Sequence, residues 1–295
     1  MIGAIPQAVP AVCGKGEMMI LQQIAEKTRE RIQGEKEKVS LAELRARAGN
    51  CDAATGFPFE AALRKQGIGF ICEVKKASPS RGIITEDFPY VQIAKEYEEA
   101  GADAISVLTE PFYFKGQDRF LQEIRQAVSL PLLRKDFTVD EYMLYQAKLA
   151  GADAVLLICA ILSPSQLEEY LGIARELGLS ALVETHDGQE IEMALRAGAR
   201  VVGVNNRNLK DFTVDMHNSV QLRELVPGEI LFVSESGIKT REQVRRLEEN
   251  GTDAVLIGET LMRSQDKAGM LRWLRGREDA GEISYRGERQ RGGMR

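Results

Sequence analysis

The sequence predicts an α/β fold, a closed (β/α)8 barrel of the TIM type with an N-terminal helical extension, on three observations. One phrase recurs four times. It reads Ala-Gly-Ala-Asp-Ala-Ile-Ser-Val-Leu from Ala100 and Ala-Gly-Ala-Asp-Ala-Val-Leu-Leu-Ile from Ala150. It returns as Ala-Gly-Ala-Arg-Val-Val-Gly-Val-Asn from Ala197 and Asn-Gly-Thr-Asp-Ala-Val-Leu-Ile-Gly from Asn250. Each copy follows a helical pattern and precedes a short β-branched run, so it reads as a helix, a glycine cap in the left-handed conformation and a buried strand. Weaker copies alternate with these, at Gly69, Ser129, Gly178 and Gly228. Finally, eight units between Gly69 and Arg275 average about 26 residues each. Regular alternation at that length favours a closed barrel over a doubly wound open sheet, which does not need eight equal units.

The strands are expected near 70–74, 104–108, 131–134, 154–158, 180–183, 200–204, 229–233 and 254–257. All are almost wholly apolar, as suits a parallel sheet buried on both faces. The helices between them are marked by capping boxes or close variants at Thr138-x-x-Glu141, Ser163-Pro-x-Gln166, Asp187-x-x-Glu190 and Thr240-x-x-Gln243. Ahead of the barrel, Leu21, Ile24, Ala25, Thr28 and Ile32 form a helical stripe, Ser40-x-x-Glu43 opens a second helix, and 57–66 gives a third. Three segments result: 1–68, a tail and helical extension packed on the barrel; 69–275, the barrel; and 276–295, a charged, Gly-rich tail read as disordered.

Composition removes several function classes. The 295 residues carry 39 Lys+Arg and 44 Asp+Glu, a net charge of −5 that gives no general attraction to nucleic acid or an anionic membrane. The longest apolar run, 154–162, is nine residues, too short to span a bilayer. Cysteines at 13, 51, 72 and 159 fit neither a disulfide framework nor a zinc site, and two histidines make no metal cage. The first 17 residues lack the features of a signal peptide. The reading is a cytoplasmic protein in a reducing compartment, with no metal and no cofactor, a monomer or alternatively a dimer. Met18 or Met19 is an alternative start, since an amphipathic helix follows directly.

In such a barrel the chemistry belongs at the C-terminal ends of the strands. There the sequence places Glu73 and Lys75 after the first strand, Lys135 after the third, Glu184 after the fifth, Asn205 and Arg207 after the sixth, and Glu235-Ser236-Gly237 after the seventh. Any one of these taken alone reads as a solvated loop residue or a cap. Three glutamates, two lysines and an asparagine at successive strand ends read together as a functional site. Glu110 also ends a strand, but its plain reading is structural. His186 reads as part of the next helix start, His217 as a surface cap and Trp273 as packing. Ser236-Gly237 and Gly258-Glu259, the latter before a short helix, suit a phosphate cradle built from backbone N–H groups, Glu259 included. The long 76–87 loop, with Ser78-Pro-Ser-Arg-Gly, reads as a cover that closes over substrate.

These residues resemble a known family, the indole-3-glycerol phosphate synthases of tryptophan biosynthesis. The resemblance spans about 19–273. It rests on Glu73-Val-Lys-Lys-Ala-Ser-Pro-Ser-Arg-Gly, Ser106-Val-Leu-Thr-Glu-Pro-Phe-Tyr-Phe-Lys-Gly, Leu132-Leu-Arg-Lys-Asp-Phe, Leu182-Val-Glu-Thr-His, Gly203-Val-Asn-Asn-Arg-Asn-Leu, Val233-Ser-Glu-Ser-Gly-Ile and Leu256-Ile-Gly-Glu. No key position departs from the pattern; only the terminal extensions do. It implies a monofunctional carboxy-lyase acting on an anionic sugar-phosphate, 1-(2-carboxyphenylamino)-1-deoxyribulose 5-phosphate, with indole-3-glycerol phosphate, carbon dioxide and water as products. The resemblance also implies Lys135 as general acid, Lys75 and Glu184 as the acid and base of the dehydration, and Glu73, Asn205 and Glu235 as their supports. Arg207 and Ser78 would bind substrate, and Phe114, Phe137, Pro79, Leu156 and Leu209 would wall the aromatic ring. Lys75, Ser236, Gly237, Gly258 and Glu259 would hold the phosphate. The nearest alternative is another sugar-phosphate barrel such as phosphoribosylanthranilate isomerase, whose chemistry calls for a Cys/Asp pair where this chain has Glu-Val-Lys. The other is a silent barrel that only binds a phosphate ligand.

Overall fold

Eight parallel strands close into a barrel in the computed structural model, which describes residues 20–208 and 212–277. They are β1 (Gly69–Val74), β2 (Ala104–Leu108), β3 (Leu132–Lys135), β4 (Ala154–Ile158), β5 (Ser180–Thr185), β6 (Val201–Asn205), β7 (Leu231–Glu235) and β8 (Ala254–Ile257). Each pairs with its neighbours in sequence. The ring is shut by β1 against β8, with Gly69 opposite Ala254 and Cys72 opposite Ile257.

The recurring phrase has a mechanical explanation. Gly101, Gly151, Gly198 and Gly251 all take positive φ, between 79° and 91°, and so end the preceding helix in the left-handed conformation. The Asp two residues on has a second task. Asp103, Asp153 and Asp253 accept hydrogen bonds from N–H groups in the first two residues of the strands next to their own, those of Phe70, Leu132 and Phe232, at 2.8–2.9 Å. The carboxylate thereby pairs backbone groups that the ladder leaves open at the barrel floor. The copy with Arg200 in place of Asp uses that side chain to pair with Glu60 at 2.7 Å.

Alternation on each strand sends one set of side chains inward. Ile71, Leu133, Leu156, Leu182, Val233 and Leu256 belong to this interior cluster, while the other face packs under the helices. The floor is filled by Phe59 and Leu63 of a short helix, α3 (Pro58–Leu63), and the roof by Leu21 and Ile24 of α1 (Ile20–Lys36). The five stripe residues of α1 are all buried, each large aliphatic one contributing about 1.5–3 kcal/mol. Polar ties fix α1 to the loop after β3: Arg31 to Asp136 at 2.8 Å and Lys36 to Asp140 at 2.6 Å. α2 (Leu41–Ala48) is capped by Ser40.

Several expectations are corrected. Complete capping boxes form at Ser163/Gln166 and Thr240/Gln243, and Asp187 caps its helix. Thr138 does not cap: it is buried, and Asp140 accepts from the Tyr142 N–H at the start of the helix Tyr142–Ala150. The third helix is shorter than 57–66, ending at Leu63. Strands β3, β5, β6 and β7 run one or two residues beyond the expected ends, because the ladder continues through polar side chains that face the cavity. Lys135, Glu184, Asn205 and Glu235 therefore lie within the strands. Of the 76–87 loop, Ala77–Ser78 pairs with Gly82–Ile83 as a small hairpin. Among the described residues, no helix is long and apolar enough to cross a membrane. The terminal segments 1–19 and 278–295, and with them most of the expected tail, lie outside the described residues.

Candidate active site

A cavity of about 540 Å³ opens at the C-terminal ends of the strands, within the range of small-molecule sites. It is lined by Glu73, Lys75, Lys135, Glu184, Asn205, Arg207 and Glu235 on the polar side. Ser78, Phe114, Phe137 and Leu156 also line it, as do Ser236, Gly237, Gly258 and Glu259. Of the sequence-predicted site residues only Leu209 is not placed, since it lies outside the described residues.

Lys135 is the centre of the charge arrangement. Its Nζ donates to Glu235 Oε2 at 2.8 Å and to Glu184 Oε2 at 3.3 Å. Burial works against the ammonium, but the charges of Glu235, Glu184 and Glu73 outweigh it, and its pKa lies well above the usual lysine range. The two carboxylates differ. Burial, with Glu184 and Glu73 adding to it, pushes Glu235 up to about 7 against the pull of Lys135. Burial acts on Glu184 in the same sense, yet Lys135, His186 and a hydrogen bond with Asn205 hold it below the usual carboxylate range. One pocket thus holds a cation, a firmly ionised carboxylate and one poised near neutrality.

A second pair sits across the mouth. Lys75 Nζ lies 2.5 Å from Glu73 Oε1, both largely buried. Gly258 is what leaves room for them: a Cβ there would come within 2.2 Å of Glu73 Oε1 and 2.9 Å of Lys75 Nζ. Gly203 does the same for Glu235, whose Oε1 would lie 2.3 Å from an added Cβ. That oxygen is buried and has no hydrogen-bond partner, so it is an open acceptor at the cavity wall.

The neighbouring loops are built for position. Ser236 and Gly237 have φ of +68° and +85°, a tight left-handed turn after β7. Asn206 ties it down. Its amide donates to Ser234 Oγ and Ser236 O, while its oxygen accepts from the N–H and hydroxyl of Ser219. Glu110 is structural, as expected: its carboxylate accepts from the N–H groups of Phe112, Tyr113 and Phe114, and so sets Phe114 against the cavity. His217 is exposed at the first turn of its helix, under an Asp215 cap.

Several lining residues had no signal in the sequence. Leu21 and Ile24 were legible as buried, but not as the roof of this cavity. Asp136 joins the lining through its place beside Lys135, with Thr109, Arg31 and the Phe137 N–H all donating to its carboxylate. Arg81 reaches in from the hairpin and pairs with Glu259 Oε1 at 3.0 Å. The Glu259 carboxylate is thus engaged by Arg81, apart from any part its N–H plays.

Comparison with known proteins decides the family. The family model described as "Indole-3-glycerol phosphate synthase" matches residues 21–274. The chain belongs to the indole-3-glycerol phosphate synthase family. The family member of that name from Ruminiclostridium cellulolyticum is 55% identical over 258 residues, covering 88% of this chain and 99% of its own. That from Lachnoclostridium phytofermentans is 50% identical over 268 residues, covering 87% and 99%. Among solved structures, 3-hexulose-6-phosphate synthase from Salmonella typhimurium superposes with a TM-score of 0.60 at 16% identity, over 71% of this chain and 97% of its own. That likeness extends to the fold alone.

Proposed function

We propose that this indole-3-glycerol phosphate synthase family member closes, decarboxylates and dehydrates 1-(2-carboxyphenylamino)-1-deoxyribulose 5-phosphate to indole-3-glycerol phosphate. The observation that carries this reading is the buried Lys135 ammonium, held between Glu184 and Glu235. In the first stage the aromatic carbon bearing the carboxylate attacks the ketone, and Lys135 gives its proton to the ketone oxygen. Carbon dioxide then leaves with its bonding pair returned to the ring, which restores aromaticity. In the second stage the new hydroxyl departs as water while a proton leaves the adjacent carbon. Lys75 supplies the acid for the hydroxyl, and Glu184, held ionised, takes the carbon's proton.

The other residues orient. Glu73 holds Lys75, Asn205 steadies Glu184, and the open Oε1 of Glu235 accepts a sugar hydroxyl. Ser236, Gly237, Gly258 and Glu259 offer backbone or hydroxyl donors to the phosphate, together with Lys75. Arg207 and Ser78 meet the anionic and polar ends of the substrate. Phe114, Phe137 and Leu156 flank the ring. The division of the chain at residues 68 and 275 belongs to the same proposal, with α1 as the roof over the bound ring. So does a cytoplasmic setting.

The test is turnover of the purified chain on the synthetic substrate, followed by indole absorbance. Indole-3-glycerol phosphate is the expected product. Isomerisation of phosphoribosylanthranilate in its place would carry the alternative, and binding without turnover would leave only a phosphate-ligand barrel. A more local test is Gly258→Ala. The methyl displaces the Glu73–Lys75 pair, and a misplacement on the order of 1 Å costs about 10²-fold in kcat/KM. Unchanged kinetics in a folded Gly258→Ala protein would remove that pair from the reaction.

A further inference from the structure

His186 stands behind Glu184 and does not line the cavity. It is two residues beyond Glu184 at the end of β5, and its ring is clamped. Glu190 Oε2 takes both the His186 N–H, at 2.8 Å, and Nδ1, at 3.1 Å. Glu190 can do this because it sits in the first turn of the helix Gly188–Arg196, which Asp187 caps. With Nδ1 committed to Glu190 as a donor, the ring turns Nε2 toward Glu184 Oε1, 3.6 Å away. Nε2 is buried and has no hydrogen-bond partner.

That geometry sets both ring nitrogens toward carboxylate oxygens. A neutral ring with its proton on Nδ1 would set an Nε2 lone pair against a carboxylate oxygen, two acceptors face to face in a buried site. A ring protonated on both nitrogens presents a donor instead. We propose that His186 is a positioning residue for the dehydration step, an imidazolium that fixes the orientation and charge of Glu184 from behind while Lys135 engages its other oxygen. The proposal rests on the assignment of Glu184 as the base of that step.

The electrostatic surroundings agree. Burial alone would lower the imidazole's pKa, but the hydrogen bond to Glu190 and the charges of Glu184, Glu190 and Glu235 raise it above the usual value. The charges acting on the ring are Glu184 on β5, Glu190 on the following helix and Glu235 from β7. Behind them Lys135 from β3 pairs with Glu184, the Cys159 thiol after β4 donates to the Glu190 carbonyl, and Asp187 caps the helix. Asn205 from β6 and Asn218, whose amide donates to the His186 carbonyl, are polar and do not titrate. Lys135 stays protonated throughout the working range, so His186 is the cation beside Glu184 whose removal changes its charge balance without touching substrate.

The experiment is single-turnover kinetics on His186→Leu, His186→Gln, Glu184→Gln and the double variant Glu184→Gln/His186→Leu, with carbon dioxide release and indole formation followed separately across pH. His186→Leu is expected to slow indole formation about tenfold, equivalent to about one pKa unit of charge interaction with Glu184, with carbon dioxide release and KM unchanged. The Glu184 ionisation, which limits dehydration on the acid side below the Glu235 limb, should move up in pH, because Glu184 has lost a neighbouring cation. His186→Gln, which keeps a donor near Nε2, should recover part of the rate but not the ionisation. In the Glu184→Gln background His186→Leu should add nothing. A wild-type dehydration rate in His186→Leu, or an additive loss in the double variant, overturns the proposal. A wild-type rate in Glu184→Gln alone would instead overturn the assignment of Glu184.

Discussion

Lys135→Met is expected to lower kcat by about 10²–10⁴-fold, the usual worth of a positioned general acid, while the protein stays folded and still binds the substrate's phosphate. The size of the effect follows from where the ammonium lies. It is the cation shared by Glu184 and Glu235, and methionine fills the same space with no proton to give. The fold survives for a related reason. Removing one partner of a buried ion pair is costly when the other must remain charged. Here Glu235 is already raised to about 7 and gains a proton once Lys135 is gone, while Glu184 keeps His186 and Asn205 as its partners. Phosphate affinity depends on the far side of the cavity, around Lys75, Ser236 and Gly258, and should change little. Steady-state kinetics, a thermal melt and a binding titration with inorganic phosphate check the three parts. A kcat within about tenfold of wild type would show that Lys135 is not the acid.

Glu184→Gln carries the second large effect. Glutamine keeps the size of the side chain and the hydrogen bonds toward Lys135 and Asn205, but it cannot accept a proton. Indole formation in a single turnover should slow by about 10²–10³-fold. Carbon dioxide release should hardly change, so the decarboxylated, still hydroxylated intermediate accumulates. The pH dependence separates the two carboxylates. Glu184 is held below the usual carboxylate range, so it stays ionised as pH falls toward neutrality and below. Glu235, raised to about 7, gains its proton much earlier on the same descent. An acid limb near pH 7 therefore belongs to Glu235 and should survive in Glu184→Gln, shifted downward because the Glu184 charge no longer raises it. Slower carbon dioxide release with dehydration intact would give Glu184 a part in ring closure.

The fold was legible because the barrel repeats its own punctuation. Gly101, Gly151, Gly198 and Gly251 each need a left-handed backbone, and only a helix-to-strand turn requires that at such regular spacing. The Asp of the same phrase, which bonds across to the neighbouring strand, could not be interpreted before the strands were closed, since its partner lies 21 to 33 residues away. Charged side chains obscured the strand ends. Glu184 and Glu235 look like loop residues until the closed barrel shows that their strands extend inward to a wet cavity.

The site was legible to the same depth. Lysines and glutamates at successive strand ends have to converge if the strands form a closed ring, so Glu73, Lys75, Lys135, Glu184 and Glu235 could be collected from the chain. What surrounds them could not. Asn206 beside Asn205 and Asp136 beside Lys135 gain their places from contacts further along the sequence, with Ser219 and Arg31, and His186 beyond Glu184 from the turn that brings its ring between Glu190 and Glu184. The roof is the same case. A helical stripe says that Leu21 and Ile24 are buried, and tertiary packing alone says that they cover the cavity.

The measurement that bears most directly on Lys135 as the acid of ring closure and Glu184 as the base of dehydration is release of labelled carbon dioxide from the substrate carboxylate. It is made in a single turnover, alongside indole formation, on wild type, Lys135→Met and Glu184→Gln. Wild type should show both signals, Lys135→Met neither, and Glu184→Gln prompt carbon dioxide release without indole. Carbon dioxide release at the wild-type rate from Lys135→Met would contradict the account.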